Sequence, residues 1–266
     1  MKTVTSKDGT TIAYDEVGQG TPVIIVGGAF SYRKFKDLVQ LADILSKDHL
    51  VVNYDRRGRD DSGDTKPYSL SKEIEDLEAI IDAVGGKSMV YGVSSGGALA
   101  LEAADKLPTK ITRLAIFEAP YLVDDSGKAM SADFLPKLKD HVAKNERSKA
   151  VKQFLPEVGA PAFVIAMMQI MPVWKKLKSL AHTLPYDIEI IAPYRVGRPY
   201  PADKWTNVTM PTLVMDGGKS PAGMRHAMEA LGKKLPHAIY QTLPGQTHMI
   251  KNAALAPSLA DFFRPQ

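Results

Sequence analysis

Residues 88–100 constrain the fold most, because they predict a buried strand, a sharp turn and a helix in immediate succession. The pattern G-x-S-x-G, whose central serine sits on a strained strand-to-helix turn, is matched here by Gly92-Val93-Ser94-Ser95-Gly96. The strand and the helix come closest at the two glycines, where a Cβ would clash. We therefore expect the Ser94 hydroxyl to project from the turn, beside N–H groups of a helix N-terminus that have no helical partner.

Strands and helices alternate on both sides of this stretch. Further strands are predicted at 23–26, 50–54, 111–117, 211–216 and 237–243, separated by segments of helical periodicity. Of these, the strands at 23–26 and 111–117 are expected to be buried. Near the N-terminus, two extended segments flank an Asp-Gly turn and predict an antiparallel hairpin. The chain therefore predicts an α/β fold, with a mostly parallel eight-stranded sheet and helices on both of its faces. Such a sheet places ligands at the carboxyl ends of its strands.

The alternation breaks between residues 121 and 208, where we find helical periodicity without a clear strand. Residues 134–154 are amphipathic and rich in lysine, whereas residues 162–180 are strongly apolar. A helical insertion of this size, placed after a strand of the sheet, suits a cap over the carboxyl edge. We expect a core of residues 1–120 and 209–266, and a cap of residues 121–208.

The composition excludes several classes of protein. The 34 basic and 30 acidic residues are spread without a long run of like charge, so we expect no nucleic-acid partner. The chain has no cysteine, which excludes disulfides, thiolate chemistry and cysteine-ligated metals. It begins without an apolar signal segment, and its longest apolar run is too short to span a bilayer. We expect a cytoplasmic protein with no membrane partner.

Three further motifs occur in a recognisable order, namely Gly27-Gly28-Ala29-Phe30, Asp55-Arg56-Arg57-Gly58 and Leu243-Pro244-Gly245-Gln246-Thr247-His248. Together with the serine turn, they resemble α/β-hydrolases over nearly the whole chain, with the insertion in that family's usual place. The resemblance implies an oxyanion loop at the first motif, which in the family is usually His-Gly-x, and a catalytic histidine in the last. It also implies chemistry without a cofactor or a metal.

A serine hydroxyl needs a base within hydrogen-bond reach, and the base needs a third group that orients it. His248 lies in a glycine-containing loop just beyond the last predicted strand, at the catalytic edge, and is the expected base. His182 falls in the predicted cap and has either a pocket or a structural role. The remaining four histidines are expected at the surface: His49, His141, His226 and His237.

The acid is where this chain departs from the family pattern. Alignment of the seventh strand puts Ser220 where the aspartate usually stands, and serine cannot carry the required negative charge. Glu118 ends the sixth strand, from which some family members supply their acid, including haloalkane dehalogenases and certain lactone hydrolases. Asp216 ends the seventh strand but would have to reach sideways. We expect Glu118, with Asp216 as the alternative.

For the oxyanion hole, the resemblance implies the backbone N–H groups of Ser95 and Ala29. Backbone donors leave the side chains free, so the two glycines before Ala29 need not abolish the hole. An apolar stripe in the cap is either the cap's own core or a wall of the site, and methionines in such a wall suit apolar substrates of varied shape. The predicted pocket residues are Phe30, Met167, Met171, Trp174 and His182.

These residues predict a cofactor-independent serine hydrolase that cleaves a small, largely apolar carboxylic ester or lactone through an acyl-enzyme. A C–C hydrolase or a perhydrolase would use the same three side chains. Epoxide hydrolysis and dehalogenation are disfavoured, because the enzymes that the chain resembles use an aspartate where Ser94 stands. A second class of function is a ligand-binding protein on the same fold with little or no turnover. This alternative is prompted by Ser220, which stands where the family usually has its catalytic aspartate. The exact substrate and the oligomeric state stay open.

Overall fold

The computed structural model describes residues 1–264, so the last two residues of the predicted core, 265–266, lie outside the described range. Within it, eight strands form one sheet: β1 (Lys2–Thr5), β2 (Thr11–Val17), β3 (Pro22–Val26), β4 (Leu50–Tyr54), β5 (Ser88–Val93), β6 (Ile111–Phe117), β7 (Thr212–Gly217) and β8 (Ala238–Leu243).

The sheet has the spatial order β1-β2-β4-β3-β5-β6-β7-β8. β1 pairs with β2 and β2 with β4 in antiparallel register. Every other neighbouring pair is parallel. This confirms the predicted α/β class with a mostly parallel sheet and an antiparallel edge. It also brings the carboxyl ends of the central parallel strands to one edge, where side chains from distant parts of the chain meet.

Helices cover both faces: α1 (Lys36–Leu45), α2 (Leu70–Ala83), α3 (Ser95–Lys106), α9 (Ala222–Lys234) and α10 (Asn252–Phe263). Successive residues of a strand point to opposite faces. Accordingly, Val23 and Ile25 pack with α1 and α10, whereas Ile24 and Val26 pack with α2, α3 and α9. The continuous apolar run of β3 is therefore explained by burial on both sides.

One helix begins later than predicted. The periodicity predicts a start near Arg33, but α1 begins at Lys36 after an extended Phe35. The backbone N–H of Arg33 donates instead to Asp55 Oδ1 at 2.6 Å. A tertiary contact at the end of β4 thus replaces the first helical turn.

The insertion between β6 and β7 consists of α4 (Phe134–Ala143), α5 (Arg147–Glu157), α6 (Ala162–Met168), α7 (Val173–Leu180) and α8 (Leu184–Ile191), with 3₁₀ turns at Ala181–Thr183 and Ala192–Tyr194. Each of the two long helical stretches predicted here is divided in two. The first break is at Asn145, which has a φ of 56°, and the second precedes Pro172. The division of the chain into a core and a cap of residues 121–208 stays a prediction.

Backbone hydrogen bonds join the beginning of the insertion to its later part. Leu122 N–H donates to Tyr194 O at 2.9 Å, and Gly197 N–H donates to Leu122 O at 3.0 Å. Helix α8 of the insertion packs against α2, α3 and α4. The insertion is therefore fixed to the core beside α3, the helix that follows the serine turn. Every helix within residues 1–264 is too short or too polar to cross a membrane.

Candidate active site

Ser94 lies between β5 and α3 with φ 57° and ψ −132°, a conformation that is strained for a residue with a side chain. The two flanking glycines make this turn possible. A Cβ on Gly92 would lie 2.5 Å from Gly96 O, and a Cβ on Gly96 would lie 2.2 Å from Val26 O. The sequence pattern therefore has a steric cause, since strand and helix approach too closely for any larger residue.

Three side chains from three loops form a hydrogen-bonded series at the carboxyl edge of the sheet. His248, in the loop after β8, has Nε2 3.2 Å from Ser94 Oγ. Its Nδ1 lies 2.8 Å from Glu118 Oε2. The His248 side chain is 27% exposed and Ser94 is half-buried, so both are open to a small molecule.

Glu118 directly follows β6 and is fully buried, with a φ of 46°. Its other oxygen, Oε1, accepts the backbone N–H of Gly217 at 2.7 Å. This bond and the bond to His248 use both carboxylate oxygens. The left-handed backbone turns Glu118 toward the end of β7, and the carboxylate is thereby held in one orientation.

Asp216, the alternative acid, is also fully buried but has different partners. Its Oδ2 accepts the hydroxyl of Tyr240 at 2.6 Å, and Arg225 Nε lies 3.7 Å away. Ser220, in the turn after β7, is buried and donates its N–H to Gly217 O at 2.9 Å. Of the two carboxylates considered, the structure brings Glu118 to His248 and directs Asp216 toward β8 and α9.

The predicted oxyanion loop follows β3 and lies against the serine. A Cβ on Gly28 would lie 2.9 Å from Ser94 Cβ and 3.4 Å from Ser94 Oγ. Ala29 comes next, followed by Phe30 with a φ of 61°. Ser95 is the first residue of α3, where backbone N–H groups have no partner within the helix. Both predicted donors therefore lie on segments that adjoin Ser94.

The predicted pocket residues occupy different surroundings. Phe30 packs edge-to-face on Phe154 of α5, with 5.4 Å between ring centroids. Trp174 is 6% exposed and belongs to the main apolar core. Met167 and Met171 are 52% and 45% exposed.

His182 lies against the loop after β4, with Nε2 3.9 Å from Asp64 Oδ2. Burial lowers the pKa of His182 below its ordinary value. A shared pocket formed by these five residues stays a prediction.

A buried ionic cluster lies next to the serine turn, and no sequence motif assigns it a role. Asp187 of α8 accepts hydrogen bonds from Arg56, Arg59 and the Ser95 hydroxyl, at 2.7 to 2.9 Å. Burial raises the pKa of Asp187, but the charges of Arg59 and Arg56 together with the hydrogen bonds from Ser95 and Arg56 outweigh burial and hold that pKa below its ordinary value. A signal was available in the sequence, because Asp187 and Glu189 are charged residues within an otherwise largely apolar segment.

Three carboxylates, those of Asp55, Asp60 and Asp61, have oxygens within 4.8 Å of one another, a spacing that a metal ion could use. Cationic side chains already contact each of them. Arg33 lies 3.4 Å from Asp55 Oδ2 and 2.6 Å from Asp61 Oδ2, and Lys176 pairs with Asp60. We therefore interpret this group as part of an ion-pair network in and beside the loop after β4.

Comparison with solved structures finds proteins of the same fold. An alpha/beta hydrolase from Sphaerobacter thermophilus is 45% identical, with a TM-score of 0.89 and coverage of 99% of this chain and 100% of that one. An enol-lactonase from Burkholderia xenovorans has a TM-score of 0.76 and covers 98% of this chain and 99% of its own. At 17% identity, the second likeness shows the fold alone.

A curated relative, the cis-3-alkyl-4-alkyloxetan-2-one decarboxylase of Shewanella oneidensis, is 32% identical over 118 residues. That match covers 42% of this chain and 36% of the length of the relative. A family model described as the alpha/beta hydrolase family matches residues 23–256, most of the chain. The chain therefore belongs to the alpha/beta hydrolase family.

Proposed function

We propose that this protein is a serine hydrolase that cleaves a small, largely apolar carboxylic ester or lactone through an acyl-enzyme. One observation carries the proposal: the series Ser94–His248–Glu118, with separations of 3.2 Å and 2.8 Å. A nucleophile, a base and an orienting acid within hydrogen-bond reach are the arrangement that activates a serine hydroxyl.

In the first step, Ser94 Oγ attacks the substrate carbonyl carbon while His248 Nε2 accepts the hydroxyl proton. The carbonyl oxygen becomes an oxyanion, which accepts hydrogen bonds from the N–H groups of Ser95 and Ala29. The Glu118 carboxylate accepts the Nδ1 hydrogen bond of His248 and stabilises the imidazolium. Its burial and its bond from Gly217 support this role, because they keep the carboxylate in one position.

In the second step, the bond from the acyl carbon to the leaving oxygen breaks, and His248 returns its proton to that oxygen. An ester then releases an alcohol, whereas a lactone keeps the new hydroxyl on the acyl group. Water attacks the acyl-enzyme with His248 as base, and the carboxylic acid leaves as Ser94 regains its proton.

The substrate class rests on the surroundings of the serine and on the relatives. Phe30, in the oxyanion loop, packs its apolar ring against Phe154 of α5. Two similar proteins carry cyclic esters in their names, an oxetan-2-one and an enol-lactone. We also propose that residues 121–208 act as a cap, supported by the contacts of Phe30 with α5 and of Ser95 with α8.

The alternative of a ligand-binding protein was prompted by the serine at position 220. Because Glu118 contacts His248, the absence of an aspartate at position 220 does not favour binding without turnover.

The test uses hydrolysis of a short-chain nitrophenyl ester and labelling by a fluorophosphonate. We expect Ser94→Ala to abolish both, because the nucleophile is lost. Glu118→Gln is expected to lower kcat on the order of a hundredfold or more, by analogy with the large loss caused by an Asp-to-Asn change in a triad.

Asp216→Asn is the matched control, since it neutralises another fully buried carboxylate at a neighbouring strand end. We expect it to lower kcat much less. Full activity in Ser94→Ala, or labelling at Ser95 or Ser220, would overturn the proposal. A larger kcat loss in folded Asp216→Asn than in Glu118→Gln would assign the acid to β7 instead.

A restoration experiment adds a second criterion. In the Glu118→Gln background, Ser220→Asp returns a carboxylate to the turn from which most family members supply it. We expect partial recovery of kcat, measured with the same nitrophenyl ester.

A further inference from the structure

We infer that Arg59, held by Asp187 of α8, is a positioning residue that fixes and polarises the Gly28–Ala29 peptide at the oxyanion hole. The inference rests on the proposed function, because that peptide has a catalytic role only if Ser94 attacks a carbonyl.

Arg59 holds the plane of the Gly28–Ala29 peptide. Arg59 Nη1 donates to Gly28 O at 2.6 Å and to Ser31 O at 3.2 Å. Gly28 C=O and Ala29 N–H belong to the same peptide and point in opposite directions in the trans form. A guanidinium that holds the carbonyl on one side therefore directs the N–H to the other side. It also strengthens the N–H as a donor, since hydrogen bonds polarise one another in a buried site.

The oxyanion loop needs a hydrogen bond from outside the loop. Phe30 has a φ of 61°, which is unfavourable for a residue with a bulky side chain. The Ser31 N–H and hydroxyl also bond to Gly28 O, so the turn closes on that single carbonyl. Arg59 supplies the charged donor to Gly28 O, and the Arg59 side chain is almost completely buried.

Asp187 anchors the Arg59 side chain. Arg59 Nη2 donates to both oxygens of Asp187, at 2.8 and 2.9 Å. Asp187 Oδ1 also accepts the Ser95 hydroxyl at 2.7 Å. One carboxylate of the insertion is thus bonded to Ser95, which carries the first proposed oxyanion donor, and through Arg59 to the peptide that carries the second. The hydroxyl of Ser95 consequently points into the protein and leaves its backbone N–H for the substrate.

Charge balance shows why the cluster tolerates burial. Arg56 donates to both oxygens of Glu73, at 2.9 and 2.7 Å, and also reaches Asp187 at 2.7 Å. Two guanidinium groups thus face two carboxylates, and all four side chains are buried. Buried charges that are paired and hydrogen-bonded hold one geometry, because leaving any of them unpaired is costly.

Arg57 supplies a matched comparison within the same loop. It is fully buried and forms a bidentate pair with Asp76 at 2.6 and 2.7 Å, and it donates to Lys72 O at 3.0 Å. Asp76 and Lys72 belong to α2, and Arg57 Nη1 also donates to Asp8 in the turn between β1 and β2 at 3.1 Å. Arg57 and Arg59 therefore share burial and a two-bond carboxylate pair, but of the two it is Arg59 that the structure bonds to Gly28.

The experiment compares Arg59→Lys with Arg57→Lys. Lysine keeps the charge but cannot hold Gly28 O and the Asp187 carboxylate with the fork of a guanidinium. The measurements are kcat and KM on a nitrophenyl ester, affinity for a trifluoromethyl ketone that forms a hemiketal oxyanion with serine, and the midpoint of thermal unfolding.

For Arg59→Lys we expect kcat to fall on the order of ten- to a hundredfold, less than for removal of an oxyanion donor. KM is expected to stay within about twofold, because the oxyanion forms only in the transition state. The trifluoromethyl ketone should bind more weakly by a factor similar to the loss in kcat. Arg57→Lys should lower the unfolding midpoint without a comparable change in kcat.

If Arg59→Lys and Arg57→Lys have equal kcat values and equally lowered unfolding midpoints, the inference is overturned and Arg59 has a structural role. If Arg59→Lys does not fold, Asp187→Asn tests the same claim, since it weakens the anchor but keeps Arg59. A kcat and a ketone affinity unchanged from the wild type in folded Asp187→Asn would equally contradict it. Activity that persists in Ser94→Ala would instead refute the proposed function, so the two failures are distinguishable.

Discussion

Helices α6 and α8 belong to the same insertion and are both short and apolar, yet their burial is opposite. In α8 every residue except Glu189 is buried, including Asp187. In α6 only Ile165 is buried, whereas Phe163 is 74% exposed, and Ile170, just beyond the helix, is 88% exposed. Hydrophobic composition therefore does not decide which segment is buried.

The difference lies in what each helix contacts. Asp187 joins α8 to two arginines of the loop after β4 and to Ser95 at the start of α3. Residues 158–173 instead expose a set of large apolar side chains: Val158, Phe163, Met167, Ile170, Met171 and Val173. A contiguous apolar surface is uncommon on soluble proteins, whereas single exposed apolar residues are normal.

The strongest test of this comparison removes the polar anchor. Asp187→Ala leaves Arg56 and Arg59 without one of their carboxylates, and we expect it to lower the free energy of unfolding by about 3–5 kcal/mol. Phe163→Ala removes an exposed side chain and should change that free energy by no more than about 0.5 kcal/mol. Denaturant unfolding measures both, and equal values for the two variants would show that the burial difference has no energetic meaning.

A second test compares two neighbouring apolar residues. Trp174→Ala should cost about 3 kcal/mol, because it empties a buried site. Met171→Ala should cost less than about 0.5 kcal/mol, since the Met171 side chain is 45% exposed. Hydrolysis of nitrophenyl esters with short and long acyl chains then tests the predicted pocket. A changed preference in Met171→Ala would place this residue at the substrate, and an unchanged preference would remove it from the pocket.

The pH dependence of stability sharpens the comparison further. The pKa of Asp187 is lower in the folded protein than its ordinary value of 3.8, so the unfolded chain takes up the proton first as the pH falls. The contribution of Asp187 is therefore complete above about pH 5 and is lost as the pH falls through 3.8 and then through the lower folded pKa. The stability difference between the wild type and Asp187→Asn should shrink in that window. A difference that stays constant down to pH 3 would contradict the ionic role.

The smallest effect is expected on the exposed side of α6. Replacing Phe163 and Ile170 together by lysine should leave the unfolding midpoint nearly unchanged, because neither side chain is buried. It should lower the fluorescence of a dye that binds apolar surface. A large drop in the unfolding midpoint would mean that these residues are covered in solution.

The elements of the sheet could be predicted because their signals are local. Stretches rich in apolar residues mark β3, β4, β6 and β7 as strands, and the glycines around Ser94 mark a turn that admits no larger residue. The predicted helix boundaries were less accurate where a distant side chain intervened. Residues 33–35 are an example, because the bond of Arg33 to Asp55 joins positions 22 residues apart.

The candidate site was partly predictable. The order of the motifs was enough to select Ser94 and His248, and the end of β6 was enough to rank Glu118 above Asp216. Their catalytic roles stay the proposal made above. The ionic cluster around Asp187 was not predicted, because its partner Ser95 is 92 residues away and no local pattern links the two.

The sequence by itself determined the strand and helix alternation, the strained turn and the positions of the charged residues, since these depend on side-chain size and periodicity along the chain. The tertiary structure decided which carboxylate meets which partner. Glu118 and Asp216 end adjacent strands and are both buried, but a left-handed backbone turns the first toward His248, 130 residues away, whereas Tyr240 holds the second. Such choices depend on the packing of β6, β7 and β8 side by side, which no single segment encodes.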